Sequence, residues 1–252
     1  LNSDIGESFG AYKMGDDAAV MDAVTSANVA CAFHAGDPLV MKKTIKNCAE
    51  KGVAVGAHPG YPDLVGFGRR NMKCTPEEEY ADCLYQIGAL SAFCRANGLC
   101  LQHVKPHGAM YNQAAKDPEL AKAIAQAVKD SGKDMILMGL ANSEFEKAAK
   151  EMGIPFAAEA FADRGYMPDG SLVPRSQPGA IIHDVDAAAK RVVRMVTEGT
   201  VEAVDGTVIN FRPHSICMHG DTPEAVEMAK AVRSALHAAG VKVTNLKEVV
   251  LG

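Results

Sequence analysis

The run His103-Val104-Lys105-Pro106-His107-Gly108-Ala109-Met110-Tyr111-Asn112 begins inside a short apolar stretch, Cys100 to Val104, that reads as a buried β-strand. It then passes at once into histidine, lysine and amide side chains. The same order recurs in Asp4-Ile-Gly-Glu7, Phe33-His34-Ala-Gly-Asp37, Ala57-His58-Pro-Gly-Tyr61-Pro-Asp63, Glu159-Ala-Phe-Ala-Asp163-Arg164 and His219-Gly-Asp221. A parallel sheet gathers the carboxyl ends of its strands on one rim, so polar groups scattered through the chain can converge there. Such a pattern points to an active site on a parallel β/α scaffold.

Between these strand ends the helical signals are regular. Asp16 to Val24 reads as a short helix, and Ala27 to Cys31 as a strand. Asp37-Pro38 caps and opens a helix to about Lys51, ended by Gly52 before the strand Val53 to Ala57. Thr75-Pro76-Glu77-Glu78 is a capping box for a helix reaching Asn97-Gly98. Helices from Pro118 to about Lys129 and Glu144 to Met152 alternate with strands Met135 to Met138 and Pro155 to Ala160. Asp163 to Gln177 reads as a long loop before a helix from Val185 to about Thr197. Val208 to Phe211 and Ser215 to Met218 are the last strands, and Pro223 to Ala239 the last helix. Val201 to Thr207, with Asp205-Gly206 at its centre, has the composition of a small hairpin.

Roughly seven strand–helix units predict a (β/α) barrel of about seven strands, an open doubly wound sheet being the alternative. No Gly-x-Gly-x-x-Gly turn follows the first strand and no Walker P-loop occurs anywhere, which argues against dinucleotide-binding and P-loop forms of the open sheet.

Composition narrows the classes of function. At 252 residues, 48% hydrophobic and 23% charged, with no linker-like stretch, the chain is expected to form one globular domain over 1–252. A net charge of −5 with dispersed Lys and Arg, no tryptophan and few aromatics gives neither a phosphate-binding footprint nor a stacking surface, so nucleic acid is not an expected partner. No apolar run is long enough to cross a bilayer, and Asp4 and Glu7 do not belong in a signal peptide, so the cytoplasm is the expected compartment. Seven cysteines without a CxxC pair fit reduced thiols in the core better than disulfides or a zinc finger. The chain opens on Leu1 rather than Met, which suggests that a few residues precede it and that the first strand is incomplete.

The clusters hold the groups that acid–base and electrophilic catalysis require. His103 and His107 are four apart, but Pro106 makes a continuous helix unfavourable, so turn geometry must bring them together. With Lys105 they offer two general acids or bases and a cation able to neutralise a carboxylate or oxyanion; a histidine-rich turn bonded to backbone is the structural alternative. His34 and His58 each follow a strand and precede a small-residue turn that lets backbone approach a ligand. His183 and His237 lack that setting. Asp4 and Glu7 can orient a histidine, bind a divalent metal or act as base, with capping the plainer role for Glu7. Arg70 and Arg164 suit bidentate capture of carboxylate or phosphate, and Asp221 most simply caps the last long helix.

Taken together, these segments, with Leu1-Asn-Ser-Asp4, Asn28 to Pro38, Gly66-Phe-Gly-Arg69-Arg70 and His219 to Pro223, resemble the LamB/YcsF family from end to end. Ser3 stands where Cys or Ala is usual in that family, and Ala32 where Gly is usual. Neither removes a candidate acid, base or ligand. The resemblance implies a seven-stranded (β/α) barrel like those of glycoside hydrolase and polysaccharide deacetylase relatives. It also implies opening of the lactam of 5-oxo-L-proline to L-glutamate with ATP as co-substrate, in a complex with partner subunits B and C.

On that resemblance the catalytic candidates are Asp4, His34, His58, His103, Lys105 and His107, and the substrate-binding candidates Glu7, Tyr61, Arg70, Asn112, Glu159, Asp163, Arg164 and His219. The other functional readings are a metal-dependent deacetylase or amidase without ATP, its divalent metal held by Asp4, His58 and His103, and a non-catalytic lactam-binding subunit.

Overall fold

A computed structural model describes residues 1–219 and 225–252. Its elements in chain order are β1 (Asn2–Ile5), α1 (Asp17–Val20), β2 (Ser26–Ala30), α2 (Pro38–Lys51), β3 (Ala54–His58), α3 (Pro76–Ala96), β4 (Leu101–Val104), α4 (Gly108–Ala114), α5 (Pro118–Ser131), β5 (Ile136–Leu140), α6 (Glu144–Met152), β6 (Phe156–Phe161), α7 (Val185–Thr197), β7 (Thr200–Glu202), β8 (Val208–Asn210), β9 (Ser215–Cys217), α8 (Ala225–Ala238) and α9 (Leu246–Val250). Strands β1 to β6 pair in sequence, all parallel, and β9 closes the ring between β6 and β1. The fold is a closed seven-stranded parallel barrel with helices between its strands.

Local chemistry sets the helix ends. Asp37 accepts from the backbone N–H of Leu39 and Val40, Pro38 follows at the first helical position, and Gly52 terminates α2 at φ 66°. Thr75 and Glu78 complete a reciprocal capping box at the start of α3. Ile45 and Cys48 of α2, Ile87 and Leu90 of α3, and Ile124 and Val128 of α5 are fully or almost fully buried, covering the outward-facing strand residues.

The barrel interior is unusually polar. Asn2 and Asp4 of β1, Asn28 of β2, His103 of β4 and Glu159 of β6 are all buried, as strand alternation puts every second residue inside. All but Glu159 are joined by hydrogen bonds. Asn2 Nδ2 donates to Ser215 Oγ at 2.8 Å, Asn28 Nδ2 to Asn2 Oδ1 at 2.7 Å and to Asp4 Oδ1 at 2.8 Å, and His103 Nε2 to Asn28 Oδ1 at 2.7 Å.

Space for the His103 ring comes from the neighbouring strand, where the register shifts between Val55 and Gly56 and a Cβ on Gly56 would lie 2.1 Å from His103 Nε2. Ala32, at the position where the family resemblance expects glycine, has φ 72°, a conformation that glycine adopts without strain. Ser3, the other departure, donates from Oγ to the carbonyl of Met218 at 2.7 Å and so links β1 to the segment after β9.

Four local expectations change. The first helix stops at Val20 because the backbone tightens into a turn, Ala23 N–H bonding Val20 O at 2.9 Å. Val208–Asn210 is not a barrel stave. It pairs antiparallel with β7 as the hairpin turning through Asp205-Gly206, and its exposed–intermediate–exposed pattern suits that surface position. Helix α4 carries no sequence signal, since its N-cap residue His107 makes no side-chain cap bond. Helix α9, held at its start by Asn245, is likewise an addition to the expected elements. The readings of Asp221 as a cap and Pro223 as a helix start lie outside the described residues.

Candidate active site

At the carboxyl ends of the strands opens a cavity of about 840 Å³ bounded by Asp4, Glu7, His58, Lys105, His107 and His219, with Arg69, Arg164 and Arg175 farther along its wall. Asp4 lies near the end of β1, His58 ends β3, and Lys105 follows β4 directly. This is the rim on which parallel barrels carry their chemistry.

Lys105 is the hub. Its Nζ lies 2.9 Å from Asp4 Oδ1, 2.9 Å from Glu159 Oε1 and 3.1 Å from Cys217 Sγ, and its side chain is 3% exposed. Burial works against the ammonium, but Asp4, Cys217 and Glu159 outweigh it and hold the lysine well above its ordinary pKa. Burial likewise pushes the Asp4 carboxyl up, and His58 and Lys105 overcome it to hold the group well below the usual carboxylate range. Tyr111 fastens the other carboxylate, its hydroxyl donating to Glu159 Oε2 at 2.9 Å.

Beside this hub lies an imidazole cluster. His34 and His107 stack with ring centroids 3.7 Å apart, and His58 meets each edge-on. Glu7 Oε1 is 3.2 Å from His34 Nε2 and 3.5 Å from His107 Nδ1, while Asp4 Oδ2 is 3.4 Å from His58 Nε2. Burial, reinforced by the neighbouring histidines, holds His34 and His107 well below the usual imidazole range, so both are neutral near pH 7. Glu7, His34, His58 and His107 each present one donor atom, all within 4.8 Å of one another, and are a group able to hold a metal ion. A second such group is Asp4, Cys217 and His219.

Across the cavity His219 donates from Nδ1 to Asp163 Oδ2 at 2.8 Å, so the Asp163 contact occupies Nδ1 and not Nε2. Burial raises the Asp163 carboxyl, but His219 more than compensates and lowers it overall. Arg164 gives Nε to Ala180 O at 3.0 Å and Nη2 to Val173 O at 2.7 Å, which fixes its plane at the wall. Burial, then Arg175, lowers it to about 10.

The structure thus brings together Asp4, Glu7, His34, His58, Lys105, His107 and Glu159, and sets Asp163, Arg164 and His219 around the same opening. Asn112 also lines the cavity, its amide donating to Gly108 O at 2.8 Å.

Three other candidates lie elsewhere. His103 is sealed inside the barrel on Asn28, and burial, then Lys105, lowers its pKa to about 3. Its orientation also removes it from the ligand set Asp4, His58 and His103. Tyr61 is fully buried with its hydroxyl 3.5 Å from Glu79 Oε1, behind the rim. Arg70 extends outward, its side chain 66% exposed and paired with Asp63, whereas Arg69 faces the cavity with its Cζ 4.8 Å over the Phe67 ring. Asn2, Asn28 and Cys217 join the site without having been candidates. Their one signal is a polar or thiol side chain at an inward position of an otherwise apolar strand.

Fold and site together define a parallel seven-stranded (β/α) barrel with buried acid–base groups collected at its carboxyl-terminal rim. More particularly, the chain belongs to the LamB/YcsF family, whose model matches residues 1–251. Curated relatives named as the A component of 5-oxoprolinase include that of Pyrococcus horikoshii, 54% identical over 250 residues and covering 99% of this chain and 98% of the relative. Those of Thermococcus onnurineus, 56% identical over 250 residues (99% and 98%), and Bacillus subtilis, 54% over 248 residues (98% and 96%), carry the same name. Among solved structures, the lactam utilization protein from Thermus thermophilus superposes with a TM-score of 0.91 at 51% identity, covering 97% of this chain and 98% of that one.

Proposed function

We propose that this chain is the A component of an ATP-dependent 5-oxoprolinase, opening the lactam of 5-oxo-L-proline to L-glutamate together with partner subunits B and C. The observation that carries this reading is the Asp4–Lys105–Glu159 hub beside the Asp163–His219 pair, at the mouth of a cavity walled by arginines, in a chain over half identical to proteins named for that activity.

Lactam chemistry explains the need for ATP. A five-membered lactam is a stabilised amide, and transfer of the γ-phosphoryl group to its oxygen gives ADP and an activated imidate. Water then adds at the carbonyl carbon. Loss of phosphate at that point would regenerate the lactam, so the C–N bond must break first, leaving a γ-glutamyl phosphate that a second water hydrolyses to glutamate and phosphate.

The residues suit these steps. His219 Nε2, its ring oriented by Asp163, takes a proton from the attacking water and returns it to the leaving nitrogen. The Lys105 ammonium offsets charge developing on the substrate oxygen, while Asp4 and Glu159 hold it in place. Arg164, fixed by two carbonyls, receives the substrate carboxylate or the phosphoryl group. Activation by ATP is assigned to the complex, consistent with the absence of a P-loop from the sequence.

The test is release of glutamate from 5-oxoproline with ATP, comparing the chain alone with the chain plus its partners. Release coupled to phosphate in the assembled mixture is expected. No release by a folded, assembled complex would overturn the reading.

A further inference from the structure

We propose that Glu7, His34, His58 and His107 form a binding site for one divalent transition-metal ion of zinc's borderline class. The reason begins with hydrogens. His58 Nδ1 lies 2.6 Å from the carbonyl oxygen of Lys105, and His107 Nε2 lies 2.9 Å from that of Phe67. A carbonyl oxygen only accepts, so both outer nitrogens carry a hydrogen. When each ring carries that single hydrogen, the inner nitrogens, His58 Nε2 and His107 Nδ1, are bare. They face each other at 2.9 Å.

Around this meeting of lone pairs stand more acceptors. Glu7 Oε1 is 3.5 Å from His107 Nδ1 and 3.2 Å from His34 Nε2. Asp4 Oδ2 is 3.4 Å from His58 Nε2. Apart from the contact between His34 and Glu7, these lone pairs meet in a buried space, an arrangement that a positive centre among the donor atoms would relieve.

A metal ion fits the dimensions. Zinc–nitrogen and zinc–oxygen bonds of about 2.0–2.1 Å place tetrahedral ligands about 3.3 Å apart. Three of the six separations here are 2.9, 3.2 and 3.5 Å and the others at most 4.8 Å, so the set has to draw in, and the His34 ring, stacked parallel on His107, has to turn for both lone pairs to meet one ion. The bonds from the outer ring nitrogens of His58 and His107 to carbonyls are the support that ligating histidines ordinarily have. Three imidazoles and one carboxylate favour a borderline ion over magnesium or calcium, which prefer oxygen.

The loops leave room for this packing. A Cβ on Gly60 would sit 2.6 Å from His34 Nδ1, and one on Gly68 would sit 2.6 Å from His34 Cβ and 2.9 Å from His107 Cδ2.

When bound, such an ion supplies Lewis acidity at the edge of the lactam cavity. The proposal concerns the cavity of the functional reading above, at residues that reading does not use, and is tested without turnover, so either can fail alone.

Chelator-treated protein, shown to be folded by circular dichroism, is titrated with Co²⁺ and Zn²⁺. The expected result is one equivalent per chain by elemental analysis, visible cobalt absorption of a four- or five-coordinate site, and a higher Tm. Glu7→Gln and His34→Asn should each weaken binding by more than the roughly 10–100-fold typical of losing an outer partner. Cys217→Ala and His219→Asn should still bind one equivalent. The proposal is overturned by a folded chain that takes up no metal while ¹⁵N NMR shows a proton shared between His58 and His107. It is equally overturned if the Cys217 and His219 variants lose the metal and the Glu7 and His34 variants keep it.

Discussion

Lys105 and Asp4 form an ion pair at the top of the barrel, Nζ to Oδ1 at 2.9 Å, with side chains 3% and 8% exposed. Glu159 sits at the same distance on another side of the ammonium. One cation therefore balances two buried carboxylates, and Asn28 and Tyr111 donate to those carboxylates as well. Lys105→Met keeps the approximate shape and removes the charge. It is expected to cost about 3–5 kcal/mol of stability, because the carboxylates are left uncompensated, and to abolish most turnover in the proposed complex. Urea denaturation alongside glutamate release measures both, and near-normal turnover in a folded variant would refute the assigned role.

Asp163 and His219 are expected to act as a unit. Asp163→Asn leaves the ring in place but permits the wrong tautomer, and His219→Asn removes the base. Each should lower kcat of the assembled complex by about 10²–10⁴-fold, and the double variant should be no slower than the worse single. Multiplying losses would show instead that the two side chains serve separate steps.

Gly56 is expected to tolerate no side chain while His103 is present. The added Cβ would meet the ring at 2.1 Å, in a closed barrel where neither backbone nor imidazole can retreat. Gly56→Ala should cost about 1–3 kcal/mol or more. In the Gly56→Ala/His103→Ala double variant the loss should fall well short of the sum, which a double-mutant cycle by denaturation measures. Additive losses would remove the steric explanation.

Glu79 gives the fold a pH dependence remote from the cavity. It is fully buried, with Tyr61 OH 3.5 Å from one carboxylate oxygen, and burial, then Asp82, raises it from 4.5 to about 7. The folded state therefore holds this proton more tightly than the unfolded chain. Its contribution is fully present below about pH 4.5 and is lost as pH rises through about 7. Relative to the wild type, Glu79→Gln should gain about 1–3 kcal/mol between pH 4.5 and 8, read from denaturation midpoints. A constant difference across that range would contradict the assignment.

Much of the architecture is legible in the chain because its signals are local. Pro38–Lys51, Glu144–Met152 and Val185–Thr197 have the bounds that caps, prolines and apolar period predict. Helix α4 is hidden from such signals because His107 does not cap it and Pro106 precedes it. The site is legible as a set of strand ends but not as a set of roles. His103 and His107 lie four positions apart, yet one is sealed on Asn28 inside the barrel and the other reaches Phe67 O and His58. Arg69 and Arg70 are adjacent, and only the first faces the cavity.

The sequence by itself determined the alternation of strand and helix, the polar rim and the membership of a family, because caps, periodicity and motif spacing act over a few residues. Only the tertiary structure decided which groups share a proton or a charge. Lys105 meets Asp4 across 101 positions, and His219 meets Asp163 across 56, because the barrel closes β9 against both β1 and β6. The direction of each ring follows from a register shift at Val55 and Gly56 and from clearance at Gly60 and Gly68. These are packing constraints, and no local pattern in the chain encodes them.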